Sequence, residues 1–284
     1  MDDFEVGTVI QVGEFDPNIT IWRYLTFAKF ESLIQRRALW FSKLQIFEDE
    51  QEGMTPTLTR ASLKSQHRQM ENWFPDEERK RQVRRFIEDN ENDGRELIVA
   101  TCWFIGEHES SEMWAEYAKD DEGIVIKSTA GDLIRSVVKS HDKWWVGEVT
   151  YVDLSTHAGM DACEGSQAGL RAFLKGNRYS HESELRLATM NFVAPGCLNP
   201  DGAPPDERQR ARFVYSPKRP GIFVRADLPV LIREIRTAPG ASENHRSKSD
   251  LLRNAAGIQS PVGRSELSRS TRLGTGYRVA VYAD

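Results

Sequence analysis

Between Cys102 and Ile126 the chain has to pass from an extended apolar run into a helix and back again. The segment reads Cys-Trp-Phe-Ile, then Glu-Ser-Ser-Glu-Met-Trp-Ala-Glu-Tyr-Ala, then Gly-Ile-Val-Ile. Its middle part carries the serine-rich start of a capped helix, and the flanks carry branched and aromatic residues suited to strands. On a regular helix Trp114 and Tyr117, three residues apart, share a face, and Met113 joins Tyr117 at the four-residue spacing. Such a stripe is either core or one wall of a pocket.

The rest of the chain interleaves in the same way. Ile19–Leu25 alternates as a strand, and Phe27–Arg37 places Phe27, Phe30, Leu33 and Ile34 at helical spacing. Ala38–Ser42 returns to strand, and Phe47–Met54 is an acidic loop closed by Gly53. From Leu58 to about Asn90 the residues are polar and helix-prone. Strands are expected at Leu97–Phe104, Gly123–Lys127, Trp144–Val152, Glu184–Asn191, Gly221–Val224, Leu231–Arg236 and Tyr277–Tyr282. Helices are expected at Asp132–Val138, Leu170–Leu174 and Lys248–Ala256, and loops at Gly159–Gly169 and Asn199–Gln209. Short strands with irregular connections point to an α+β fold, with mixed or antiparallel sheets and peripheral helices. The expected organisation is a single domain over residues 1–284, with a polar helical insertion at about 55–95 and a basic C-terminal portion from about 201.

Composition narrows the class. With 39% hydrophobic and 29% charged residues the chain is globular in character, and no apolar run is long enough to span a bilayer. The N-terminus is acidic and carries no signal peptide, and the cysteines at 102, 163 and 197 are too widely spaced for a paired-cysteine zinc site or a disulfide framework. A reducing cytoplasm is the expected location. The net charge of -5 is uneven: from residue 201 onward there are fifteen Lys/Arg against nine Asp/Glu, and 23 against 34 before it. That basic third faces either solvent or a phosphate-bearing partner, and its arginines are scattered.

Two further constellations carry chemistry. In Lys175-Gly-Asn-Arg-Tyr-Ser-His-Glu182-Ser-Glu184-Leu-Arg186, strand alternation would put Glu182, Glu184 and Arg186 on one face. A Glu-x-Glu at a strand edge suits an oxocarbenium-like sugar centre, one carboxylate holding a ribose hydroxyl and the other orienting the nucleophile. A plainer reading is an exposed charge ladder. Arg23 interrupts a strand of Ile, Trp, Tyr and Leu, so it must find a counter-charge such as Glu184 or Asp49, a ligand phosphate, or an exposed edge. There is no Walker-type phosphate loop, dinucleotide Gly-rich turn, His-Glu-x-x-His helix or Gly-x-Ser-x-Gly elbow. The histidines at 67, 108, 141, 157, 181 and 245 lack the spacing of a metal site on one element, and no metal is expected.

Taken together, Arg23-Tyr24, Leu39–Ser42, Met113–Ala118 and Lys175–Arg186 resemble a bacterial family catalogued as domain of unknown function 2971. The resemblance covers roughly residues 19 to 270. It departs at the family's Phe-Asn-Asp-Pro-Phe-Glu turn, where Phe47, Asp49 and Glu52 are kept and Glu48, Glu50 and Gln51 replace the others. The family resemblance, to domains found in bacterial anti-phage and toxin loci, implies an intracellular toxin or anti-phage defence effector, and the same motif order is distantly similar to ADP-ribosyltransferases, which implies NAD as substrate. The implied acceptor is a nucleic acid or protein, with a partner protein in the same defence or toxin system. In that analogy Arg23 binds the NAD phosphates, Ser42 braces the nicotinamide ribose and Glu184 holds the ribose hydroxyl. Glu182 orients the acceptor, and Tyr24, Trp114 or Tyr117 stacks on the nicotinamide, with Arg186 beside them. NAD glycohydrolysis would use the same pocket. A module without catalysis would sense a nucleotide or phage component through Arg23 and the aromatic face, and a nuclease would gather a divalent metal on Asp49, Glu52 and Glu184.

Overall fold

The computed structural model describes residues 8–57, 98–118, 121–137, 143–157, 168–190 and 220–267, with isolated positions between 58 and 97 and between 192 and 215. The early strands are β1 (Thr8–Val12), β2 (Thr20–Leu25), β3 (Ala38–Lys43), β4 (Ile98–Ile105), β5 (Ile124–Thr129), β6 (Lys143–Glu148), β7 (Thr150–Val152) and β8 (Leu174–Gly176). They are followed by β9 (Glu184–Met190), β10 (Phe192–Val193), β11 (Cys197–Leu198), β12 (Val214–Tyr215), β13 (Gly221–Arg225), β14 (Glu234–Thr237) and β15 (Val262–Arg264). Eleven of them form one mixed sheet in the order β1-β6-β9-β4-β2-β5-β14-β15, with β3, β13 and β11 branching from β4. The fold is α+β.

The branch is a fork. One edge of β4 is paired along its length with β9, while its other edge is shared. At one end Ile105 and Phe104 face Ile21 and Trp22 of β2, and at the other Ala100 and Val99 face Ser42 and Lys43 of β3. β2 then leaves β4 to run against β5.

One face of the sheet is covered by helices. The Phe27–Arg36 helix is capped by Thr26, whose hydroxyl accepts from the Lys29 amide, and it ends where Arg37 turns left-handed at φ 48°. It buries Phe30, Leu33 and Ile34 against Leu39, Phe41, Trp144 and Leu187, together with Leu133 and Val137 of the Ala130–Val137 helix. Each side chain of this size contributes about 1.5–3 kcal/mol on full burial. The opposite face has two smaller apolar patches. Trp22, Tyr24, Phe104, Met113, Trp114 and Val125 make one, and Ile98, Ala100, Trp145, Phe173 and Ala188 the other. Between them lies a polar row, the half-buried Cys102 and the buried Arg186, with the buried Glu184 one pleat away.

Several local expectations change. The Trp144–Val152 run breaks at Val149, whose amide turns to donate to the Glu184 carbonyl at 2.8 Å, and β7 pairs instead with β8 in a separate parallel pair. Residues 168–173 form a 3-10 turn rather than an α-helix, since Leu174–Gly176 must be extended to reach β7. Leu231 ends a short helix that begins at Leu228, after the Asp227 cap, and only Glu234–Thr237 is strand. The helix expected from Lys248 starts earlier, at Glu243, because Ser242 caps it and accepts from the His245 amide. The Tyr277–Tyr282 strand and the Asn199–Gln209 loop lie outside the described residues, as does most of the Gly159–Gly169 loop and of the polar 58–90 segment.

The aromatic stripe also differs from expectation. Only Ser111–Met113 is α-helical, and Trp114–Ala118 continues as a wider π turn. Widening the turn rotates Tyr117 away from Trp114, so Trp114 is 6% exposed and Tyr117 37%. Trp114 therefore belongs to the core patch and Tyr117 to the surface beside the polar row. Among the described residues, no helix is long and apolar enough to cross a membrane.

Candidate active site

The polar row is the head of β9. Ser183 adopts a left-handed conformation at φ 38°, closing the Asn177–Glu182 3-10 turn and starting the strand. This places Glu182 on a turn rather than on the strand, yet folds its carboxylate back beside that of Glu184. Both meet Lys175, which follows the 3-10 turn on β8: Nζ donates to Glu182 Oε2 at 2.6 Å and to Glu184 Oε1 at 2.8 Å. Arg186, two residues on and on the same face, clasps Glu184 with Nε at 2.8 Å and Nη2 at 2.9 Å. Its Nη1 donates to the Ala172 carbonyl at 2.7 Å and pairs with Glu52 of the acidic loop. The Glu184 amide donates to the Tyr151 hydroxyl at 2.9 Å. Rings of Phe47 and Tyr179 lie over the Arg186 and Lys175 cations.

Charge counting explains the protonation. Three buried carboxylates, Glu52, Glu182 and Glu184, face two buried cations, Lys175 and Arg186. That excess of carboxylates favours a proton on one of them, and both Glu52 and Glu182 are raised. Burial, reinforced by the adjacent Glu184 carboxylate, pushes the Glu182 pKa up to about 8. Burial also acts on Glu184, but Arg186 and Lys175 outweigh it and hold that carboxyl well below its ordinary range. Burial opposes the Lys175 ammonium too, and the surrounding carboxylates overcome it, so its pKa rises. Burial raises Glu52, and it raises the Cys102 thiol well above its usual value with help from Glu184. The result is a close pair of carboxyls, Glu182 drawn toward its neutral form and Glu184 toward its ionised form, with Tyr117 alongside. Its phenol is pushed up by burial and by Glu182. Such a pair can donate and recover a proton near neutral pH.

Not all the residues expected at one site come together here. Glu182, Glu184, Arg186 and Tyr117 do. Arg23 does not, for a reason set by register. Trp22, Phe104 and Glu184 lie in one row across three strands, so the next residue of β2 points to the other face. There Arg23 lies over the Trp103 ring and donates from Nη2 to the Trp40 carbonyl at 3.2 Å, bridging the fork between β2 and β3. Its Nη1 is buried without a hydrogen bond, and burial lowers its pKa to about 10. It meets neither Glu184 nor Asp49. Tyr24 is locked in the apolar patch, edge-on to Trp114, with its hydroxyl accepting from the Ser110 amide at 2.7 Å. Trp114 donates from Nε1 to Glu109 at 2.8 Å, and Ser42 accepts from Trp40 Nε1 at 2.8 Å.

Lys175, Cys102 and Tyr151 join the cluster although the sequence reading assigns them no role at the site. Lys175 heads the Glu-x-Glu motif and could have been read as its counter-charge. Cys102 and Tyr151 enter only through strand pairing. Glu52 and Glu184, the carboxylates of the nuclease reading, are both occupied by Arg186. Asp49 stands apart, accepting from the Gln51 amide and, at 3.4 Å, from Arg178. Among the described residues the set able to share a metal ion is Glu116, His181 and Glu182, whose ligating atoms lie within 4.8 Å of one another. A cation entering there would share Glu182 with the Lys175 ammonium, which holds its Oε2. No family model, curated protein or solved structure matches the chain.

Proposed function

We propose that the chain is an NAD-consuming enzyme of the ADP-ribosyltransferase-like kind, acting at the N-glycosidic bond and serving as a toxin or defence effector. The observation that carries the reading is the Glu182–Glu184 pair, whose carboxylates meet over Lys175 beside Tyr117, one drawn above and the other below the ordinary carboxyl range. In this reading nicotinamide leaves as a neutral ring with the electrons of the N-glycosidic bond, the acceptor bonds to the ribose carbon in its place, and Glu182 is the base that orients the acceptor and takes the proton it releases. Tyr117, an exposed aromatic at the site, stacks against the nicotinamide. Glu184, clasped by Arg186, raises the basicity of Glu182 and sets its position. The Met113–Ala118 and Lys175–Arg186 motifs meet in space there, where His181 of one lies 3.3 Å from Glu116 of the other.

Arg23 and Ser42 take no part in this version, which leaves the NAD phosphates to other groups. The test is incubation with NAD labelled in the adenylate part, with and without protein, RNA and DNA acceptors, scored for nicotinamide release and label transfer. Release without transfer assigns glycohydrolysis. Glu182→Gln, which mimics the protonated carboxyl but cannot take up a proton, should stay folded and lose at least about a hundredfold in rate. Unchanged turnover in that variant would remove Glu182 from the mechanism. Turnover abolished by a chelator would move the chemistry to a metal at Glu116, His181 and Glu182.

A further inference from the structure

Beside the ionic cluster, the acidic loop, the residues after β7 and the turn after β8 enclose an open groove of about 740 Å³. Among the described residues its carboxylates are Glu48, Asp49, Glu50 and Asp153, against one cation, Arg178. Acidic rims are ordinary; the floor is not. Asp49 is 3% exposed, and its Oδ2 is buried with no hydrogen-bond partner. A buried carboxyl oxygen without a hydrogen-bond partner is costly, so it marks a place where a donor belongs.

Three observations say which donor. Arg178 already lays one guanidinium nitrogen on Asp49 Oδ1, at a long 3.4 Å, while the rest of its side chain is exposed. The floor therefore takes a guanidinium, and half of a two-pronged pairing is unused. Gly176 leaves the wall bare, since a Cβ there would stand 3.4 Å from Asp49 Oδ2. Finally, the groove carboxylates do not form a metal-binding set: among the described residues that distinction belongs to Glu116, His181 and Glu182. Spread-out carboxylates in a groove of this volume suit an extended organic cation better than a single ion.

We infer that this groove is a recognition site for a guanidinium group, seated on Asp49 and steered by Glu48, Glu50 and Asp153. The site stands independently of the NAD chemistry, because equilibrium binding without NAD reads it. The experiment titrates the full chain with fluorescent arginine-containing and lysine-containing peptides of equal length and charge, and with agmatine as a competitor. The arginine peptide should bind at least about tenfold tighter than the lysine peptide, because only a guanidinium pairs with both oxygens. Effective competition by agmatine places the source in free guanidinium compounds, and weak competition places it in a polypeptide.

Asp49→Asn should weaken the arginine peptide by at least about tenfold, since it keeps the shape and removes the charge. Gly176→Ala tests the same floor sterically, at φ -63°, a backbone angle that alanine adopts freely. It should weaken binding while leaving the charge of the groove unchanged. Equal affinity for the two peptides overturns the proposal. So does arginine-peptide binding that both variants leave intact.

Discussion

Glu182 and Glu184 differ by one turn of backbone, and that turn separates their chemistry. Because Glu182 keeps its proton in the folded state up to about pH 8 and a free glutamate loses it near 4.5, the folded chain binds the extra proton between those values. Stability drawn from that proton is complete below about 4.5 and is lost as pH rises to about 8, with a slope of at most about 1.4 kcal/mol per pH unit. Glu182→Gln lacks this dependence, so in urea unfolding at pH 5, 6.5 and 8 its stability should gain on the native chain as pH rises. A constant difference would refute the assigned proton. Glu184→Gln should behave differently. It strips counter-charge from two buried cations, and should cost about 3–5 kcal/mol by the same measurement. Arg23 is the reverse case, a half-buried cation with no carboxylate partner and one buried nitrogen, Nη1, without a hydrogen bond. Arg23→Met should fall within about 1.5 kcal/mol of the native stability, or exceed it, and should leave turnover intact. Loss of turnover with the fold preserved would return Arg23 to the site.

At the scale of elements, the 27–36 helix and the β4, β5 and β9 strands were legible because their apolar spacing matches their burial. The π turn at 114–118 was not, since periodicity assumes the regular helix and one widened turn leaves the composition unchanged. That turn divides the labour of its aromatics. Trp114→Ala should cost about 3–5 kcal/mol, the range for a buried tryptophan, while Tyr117→Ala should cost under about 1 kcal/mol and act on turnover. Thermal unfolding beside NAD turnover separates the two, and equal destabilisation would contradict the division. The Glu-x-Glu motif was legible as a pair, but not its geometry. Ser183 breaks the alternation by a left-handed turn that serine rarely adopts, and no spacing rule reports it.

Over the whole molecule, one face of a forked sheet is dry and helix-covered, and the other holds a charged belt between two apolar patches. The fork could not be read from the sequence. Whether Arg23 and Glu184 share a pocket depends on how Trp22 registers with Phe104 and Phe104 with Glu184, and strand pairing between distant segments leaves no local trace. The belt follows from that register, and it gathers Lys175, Glu182, Glu184 and Arg186 from a short stretch of chain onto the centre of the sheet. Burying so many charges is poor design for stability alone, since a well-packed apolar core would serve as well or better. It is suited to holding one proton where it is needed. The most direct measurement is nicotinamide release from NAD by the native chain and by Glu182→Gln at pH 7, in a chelator. The account expects turnover by the native chain and its loss, by at least about a hundredfold, in a folded Glu182→Gln. No release by the native chain with any acceptor, or equal release by both, would contradict it.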